Sequence, residues 1–249
     1  MMYEIEKNPS MKCKKVDMVC DEKLCNDFNP SIESLNTSFN MILVGRPGSG
    51  KTNFMINLIK GSRKNGERKG LKKLFHNIIV CSPSIASLKN NIFKGIDESK
   101  MFEDFNLDFI NFVQEITEID SAAGLKTLVI CDDVGTQLRK DANVEKAYMQ
   151  LAFNRRHRGL NLITTVQSYK NLPVGLRTSA SHLVLFRPSN QKEVISVWEE
   201  VLGPIPKQEL NRFFEWVFAK KYAFLFVDMS LTLSNKFIFY KNWERILNI

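Results

Sequence analysis

The chain has 249 residues, 44% of them hydrophobic and 25% charged, an ordinary balance for a soluble globular protein, and its length suits one large domain or two small ones. Its formal net charge is +8 and its sequence pI about 9.2, so the surface should attract polyanions. Charge alone does not separate a nucleic-acid binder from a merely basic protein.

Residues 1–38 mix Lys, Asp, Asn and Ser with scattered apolar residues and no sustained period, the pattern of an N-terminal arm or appendage. From Phe39 the pattern changes. Met41–Val44 is a short apolar run entering glycine, and Asn53–Lys60 follows with apolar residues at helical spacing. Strand, glycine-rich turn and helix are expected in that order. Residues 60–73 hold seven basic side chains, one acid and three glycines, which reads as a charged loop. A second strand, Ile78–Cys81, stops at Ser82-Pro83. Residues 84–120 read as helices with an acidic middle.

A third strand, Leu128–Cys131, ends at Asp132-Asp133, and a helix over about 143–157 is expected to close before Gly159. Leu160–Val166 and His182–Phe186 are the fourth and fifth strands. Residues 190–218 look helical, and Tyr222–Val227 with Lys236–Tyr240 look like an added β-hairpin. Strands separated by helices imply βαβ units and a mainly parallel sheet. The expected organisation is an arm (1–38), an α/β core (39–189) and a C-terminal α/β extension (190–249).

Of the five cysteines, Cys81 and Cys131 end apolar runs and read as reduced core residues. Cys13, Cys20 and Cys25 lack CxxC spacing, which disfavours a zinc site among them. An apolar h-region near the start and an apolar run of about 18 residues are both absent, so neither a signal peptide nor a membrane span is expected. A reducing intracellular compartment is the default.

The chemistry concentrates in three places. Residues 45–52, GRPGSGKT, fill every constrained position of a phosphate-binding P-loop between a strand and a helix. Gly45, Gly48 and Gly50 let the backbone, with Arg46, Pro47 and Ser49 between them, curl its N–H groups toward phosphate oxygens. Lys51 would charge-pair the β- and γ-phosphates of ATP, Thr52 would offer a hydroxyl to Mg2+, and Asn53 follows in the same binding segment. Asp132 and Asp133 stand at the C-terminal end of an apolar strand, where open α/β sheets bind ligands. The first would hold the metal's water shell and the second would orient and deprotonate the attacking water. The competing reading is a loop pair that caps the next helix. Their spacing from Lys51 puts their strand next to the P-loop strand, in the ATPase class with an additional strand.

Gln167, at the tip of the fourth strand, either senses a γ-phosphate or makes an ordinary turn hydrogen bond. Arg155, Arg156 and Arg158 cluster with His157 at a helix end, and Arg177 follows in LPVGLRTSASH. They either pair with the helix C-terminus, contact DNA phosphates, or include an arginine finger for a neighbouring subunit's nucleotide.

Taken together, VGRPGSGKT, LVICDD and NRRHRGLNLITTVQSYKNLPVGLRTSASHLVLFR resemble the FtsK/HerA superfamily. The similarity is to the genome-packaging ATPases of poxvirus-type large DNA viruses and their virophage relatives, and it runs from about Phe39 to Phe186. It implies a three-layer P-loop NTPase core of the additional-strand type, nucleotide binding by Gly45–Thr52, a metal-holding Asp132, a catalytic Asp133 and a sensor at Gln167. Many superfamily members carry Glu as the second acid, so Asp133 is a shorter reach. The resemblance also implies an ATP-driven ring that pumps double-stranded DNA into a preformed capsid, with capsid or vertex proteins as partners. It would act in the cytoplasm of an infected cell, at a viral factory or on the virion, without a membrane.

Other functions fit less well. A helicase or DNA-segregation pump would use the same motor, but the small size and lack of an appended DNA-reading domain favour packaging. A nucleotide kinase shares the P-loop yet needs no acid pair to position water, and no arginine-rich lid is visible. A GTPase is disfavoured because Asn235-Lys236 lacks the following acid that reads guanine. A nucleotide-binding scaffold without catalysis has no reason to keep Lys51, Thr52, Asp132 and Asp133 together.

Overall fold

A computed structural model describes residues 4–6, 35, 38–60, 62–64, 67–69, 71–85, 96–230 and 237–247. The strands are β1 (Glu4–Glu6), β2 (Asn40–Val44), β3 (Ser62–Lys64), β4 (Glu67–Lys69), β5 (Asn77–Cys81), β6 (Met101–Phe102), β7 (Thr127–Cys131), β8 (Leu160–Val166), β9 (His182–Phe186), β10 (Phe224–Asp228), β11 (Ile238–Lys241) and β12 (Glu244–Leu247). The helices are α1 (Lys51–Lys60), α2 (Leu107–Ala122), α3 (Gly135–Lys140), α4 (Ala142–Asn154), α5 (Val174–Ser179), α6 (Gln191–Glu200) and α7 (Leu210–Val217).

One ten-stranded sheet runs in the order β1-β12-β11-β10-β9-β2-β8-β7-β5-β6. From β9 to β6 all neighbours are parallel, and from β9 outward through β10, β11, β12 and β1 they are antiparallel. The parallel strands are apolar on both faces, as strands covered by helices on each side must be. Ile42, Val44, Val129 and Cys131 face a core closed by α2–α7; Met41, Leu43, Leu128 and Ile130 face a second core closed by α1 and the turn at Leu71–Phe75. Three layers result.

Several expectations are corrected. The acid-tipped strand β7 is not next to the P-loop strand: β8 lies between them, pairing with β2 on one side and β7 on the other. Chain order could not show this, because β8 comes later in sequence and inserts into the gap. Residues 98–100 form a single 3-10 turn and 101–102 a short strand, so the helix expected across 84–120 begins only at Leu107, where Asn106 caps it by accepting from the Phe109 N–H at 3.0 Å. Residues 86–95 of that stretch lie outside the described residues. Helix α4 ends at Asn154, short of Gly159, and the chain tightens through a turn in which the Leu160 N–H reaches the Arg155 carbonyl at 2.9 Å.

The expected charged loop at 60–73 contains the antiparallel hairpin β3–β4. The stretch at 190–218 is two helices, broken where Gly203, Pro204 and Pro206 cannot continue one. The C-terminal hairpin gains a third strand, β12, through Asn242 and Trp243, both at positive φ (49° and 73°) as a tight two-residue turn requires. The far edge is closed by β1 from the N-terminal arm, paired antiparallel to β12. Cys13, Cys20 and Cys25 lie outside the described residues.

Candidate active site

The site is assembled at the C-terminal edge of the parallel strands. The P-loop leaves β2 at Val44 and turns tightly. Gly45 is required sterically: a Cβ there would sit 2.5 Å from Ser49 Oγ and 2.8 Å from Phe186 Cβ. Gly50 holds φ +108°, a conformation closed to other residues, and lies against Phe186 and Tyr222. Lys51 opens α1 and donates to the carbonyl oxygens of Gly45 and Arg46, the latter at 3.2 Å, so its stem arches over its own loop. Burial pulls its ammonium below lysine's ordinary pKa, while the Asp133 and Asp132 carboxylates push the other way. Arg46 and Pro47 are exposed. Thr52 is half-buried and Asn53 exposed.

Asp132 leaves β7 buried and fully oriented. Its Oδ1 accepts from Thr165 Oγ1 at 2.6 Å and its Oδ2 from Ser82 Oγ at 3.1 Å. The same Thr165 oxygen accepts the Asp133 N–H at 2.9 Å. Asp133 sits at φ +53°, a left-handed conformation that Asp tolerates better than most residues. That turn swings its carboxylate away from Asp132 and toward the tip of β8, where Gln167 Nε2 donates to its Oδ2 at 2.8 Å. Gln167 and Asp133 are therefore one hydrogen-bonded pair on adjacent strand tips, accessible to water. A strand insertion that chain order concealed brings them together.

Three residues that sequence reading missed hold this arrangement. Thr165 and Ser82 fix the Asp132 carboxylate. Glu193, buried on α6, accepts from Ser168 Oγ at 2.7 Å and from the Tyr169 N–H, pinning the loop just after Gln167. Thr165 carried a readable signal, since it shares the Gln167 face of β8 two positions earlier. The other two did not.

The arginines separate. Arg155 is buried, donating from Nε to the Ser38 carbonyl at 2.8 Å and from Nη1 to the Ala152 carbonyl at 2.7 Å. Burial, with Arg156 beside it, draws its pKa down to about 10. Arg158 donates to the Gln114 carbonyl at 3.0 Å and faces Glu118 at 3.9 Å. Arg177 pairs with Glu200 at 2.9 Å and lies over the Tyr169 ring. Arg156 is exposed. Because β8 runs parallel to β2, Arg155–Arg158 precede it at the edge opposite the P-loop, roughly 20 Å from it at about 3.3 Å per strand residue. None of Arg155, Arg156 and Arg158 reaches its own P-loop.

Mg2+ fits the donor set. A magnesium ion keeps several waters and takes few protein oxygens beside the phosphates. The described residues hold no cluster of three or more His, Cys, Asp or Glu suited to a dehydrated metal, but they do offer the Thr52 hydroxyl and one rigidly oriented carboxylate, Asp132. Ser49 Oγ is buried without a hydrogen-bond partner among the described residues, a donor left over for a phosphate oxygen. Among the described residues, no helix is long and apolar enough to cross a membrane.

Comparison with solved structures gives the same fold. B204, the DNA-packaging ATPase from Sulfolobus turreted icosahedral virus, superimposes with a TM-score of 0.59 at 16% identity, covering 83% of this chain and 98% of B204. The genome-packaging NTPase B204 from Sulfolobus turreted icosahedral virus 2, solved with AMPPCP, gives a TM-score of 0.55 at 17% identity, covering 83% of this chain and 98% of that one. No curated protein matches the sequence significantly. The profile of the poxvirus A32 protein family matches residues 29–215, three quarters of the chain and all of the site just described, so this chain belongs to that family.

Proposed function

We propose that this chain is an ATP-hydrolysing motor that moves double-stranded viral DNA into a preformed capsid. The observation that carries the reading is the Asp133–Gln167 pair, 2.8 Å apart on adjacent strand tips beside a complete P-loop. Kinases transfer phosphate to an acceptor other than water and need no such acid and amide to hold a water. Family membership and the fold shared with two viral packaging NTPases support the same reading.

In this mechanism the P-loop amides and Ser49 cradle the phosphates, and Lys51 leaves its loop carbonyls to neutralise the γ-phosphate. Mg2+, when bound, would supply positive charge that offsets the charge developing on the phosphate oxygens. Thr52 and Asp132 would hold it, Asp132 in a fixed orientation set by Thr165 and Ser82. Asp133 accepts the proton of the attacking water, and Gln167 aligns that water while holding the Asp133 carboxylate in place. Among the arginines, exposed Arg156 is the residue we assign to a neighbouring subunit's nucleotide in a homo-oligomeric ring. Arg158 and Arg177 are engaged within their own chain. An N-terminal arm at 1–38 and a C-terminal extension at 190–249 flank a core at 39–189, and the basic hairpin β3–β4 is the DNA-phosphate contact. The site of action is the infected cell, with capsid or vertex proteins as the docking partners.

Phosphate release measured with and without double-stranded DNA tests this directly. Turnover that rises with DNA is expected. Hydrolysis indifferent to DNA of any length would remove the motor reading, and phosphate transfer to a nucleotide acceptor would replace it with a kinase.

A further inference from the structure

A cleft of about 580 Å³ opens on the other flank of the P-loop. One wall is Arg46–Ser49; the other is Arg187, at the end of β9, together with the segment 218–223 that enters β10. Its volume falls within the roughly 300–1,000 Å³ of small-molecule sites. The direction in which a nucleotide must lie follows from strand order. Asp132, Asp133 and Gln167 are on β7 and β8, to one side of β2, so the γ-phosphate end points there. The other end must then run toward β9 and β10, where the cleft is.

Tyr222 dominates that wall. It holds φ +65°, a strained conformation for a bulky residue, and half of it is exposed. Its ring lies on the P-loop itself: a Cβ added to Gly50 would come within 3.3 Å of Tyr222 Cδ1. Lys221 Nζ stands 4.9 Å from the ring centroid. The segment is fixed from both sides, with the Ala223 N–H bonded to the Lys220 carbonyl at 3.2 Å and Phe224 and Asn242 exchanging two hydrogen bonds.

We infer that Tyr222 is the platform on which the nucleobase and ribose of the bound triphosphate pack, with Arg187 and Lys221 facing the inner phosphates. The inference deepens the ATPase reading and rests on it. Among the described residues, no carboxylate or carboxamide side chain lines the cleft, so the acid or amide that would pair with both a donor and an acceptor on a base edge is missing there. Every base offers a π-face, so the platform supplies affinity without identity. The substrate class is therefore a nucleoside triphosphate, with adenine and guanine accepted alike.

Calorimetric titration of the full chain with ADP, GDP and inorganic tripolyphosphate tests this without needing turnover. Loss of an aromatic stacking partner weakens base binding by roughly 5- to 150-fold. Tyr222→Ala should weaken ADP and GDP by a similar factor within that range and leave tripolyphosphate unchanged, and Tyr222→Phe should restore both nucleotides. Tyr222→Gly removes the ring while suiting φ +65°, so it gives the same readout if the alanine variant folds poorly. Unchanged ADP affinity in the glycine variant overturns the platform, as does an equal loss for tripolyphosphate. A wild-type preference for ADP over GDP beyond about tenfold overturns the lack of base reading. A wild-type chain that binds ADP through Tyr222 yet never releases phosphate would sink the ATPase reading and leave the platform standing.

Discussion

The two halves of the sheet solve different problems. From β9 to β5 the strands are parallel, buried on both faces, and end together at one edge, so each tip can present a polar group to a shared space: the P-loop backbone after β2, Asp132 after β7, Gln167 after β8. From β10 to β1 the strands alternate in direction, and their contribution is aromatic packing. Phe226 stacks on His182 with centroids 5.5 Å apart, and Trp243 stacks on Phe54 of α1 at 5.3 Å while meeting Phe226 at 4.9 Å. The antiparallel half thus clamps the helix that begins with Lys51 without placing a charge at the reaction. Parallel strands make a site because their ends coincide; antiparallel strands make a brace because theirs do not.

Substitutions can separate the two halves. The largest effect is expected from Lys51→Ala, which removes the charge assigned above to the γ-phosphate and should abolish phosphate release while leaving the melting temperature near wild type. Asp133→Asn should keep ATP affinity but slow turnover by about 10²–10⁴-fold, the usual contribution of a positioned base. Wild-type turnover in that variant would move the base elsewhere. On the brace side, Phe226→Ala should cost about 3–5 kcal/mol in denaturant unfolding, as for other buried aromatics, with kcat at saturating ATP retained below the melting point. A variant that loses kcat but not stability would erase the division.

The basic hairpin belongs to neither half, and replacing Arg63, Lys64, Arg68 and Lys69 with Ala should spare DNA-free hydrolysis. DNA affinity should fall regardless of sequence, and the slope of its logarithm against salt should flatten by roughly 0.9 for each lost phosphate contact. An unchanged slope would put the DNA path elsewhere, with the edge carrying Arg156 as the next place to look. The smallest effect concerns Cys81 and Cys131, register partners on β5 and β7. Burial pushes the Cys131 thiol up to about 12 and raises Cys81 further, so at neutral pH almost none of either is thiolate. Site-resolved mass spectrometry should find both unalkylated in the folded chain and labelled once it is unfolded; labelling of Cys131 under native conditions would mean the parallel core opens.

The residue pattern by itself determined the P-loop, the five apolar strands of the core and the acid pair. Each is a local matter: a tight turn needs glycines at set positions, and a strand buried on both faces must read as an unbroken apolar run. The same locality made Gln167 and the arginines visible as candidates but not separable. Tertiary structure decided the rest. Inserting β8 between β2 and β7 joined Gln167 to Asp133, residues 34 positions apart, and gave Asp132 its Thr165 contact. It buried Arg155 and left Arg156 exposed, although both stand in one short basic cluster. It brought β1 onto β12, and it laid Tyr222 on a glycine 172 positions earlier in the chain. Strand order and the pairing of distant segments depend on which surfaces bury each other best across the whole molecule, and no window of sequence contains that comparison.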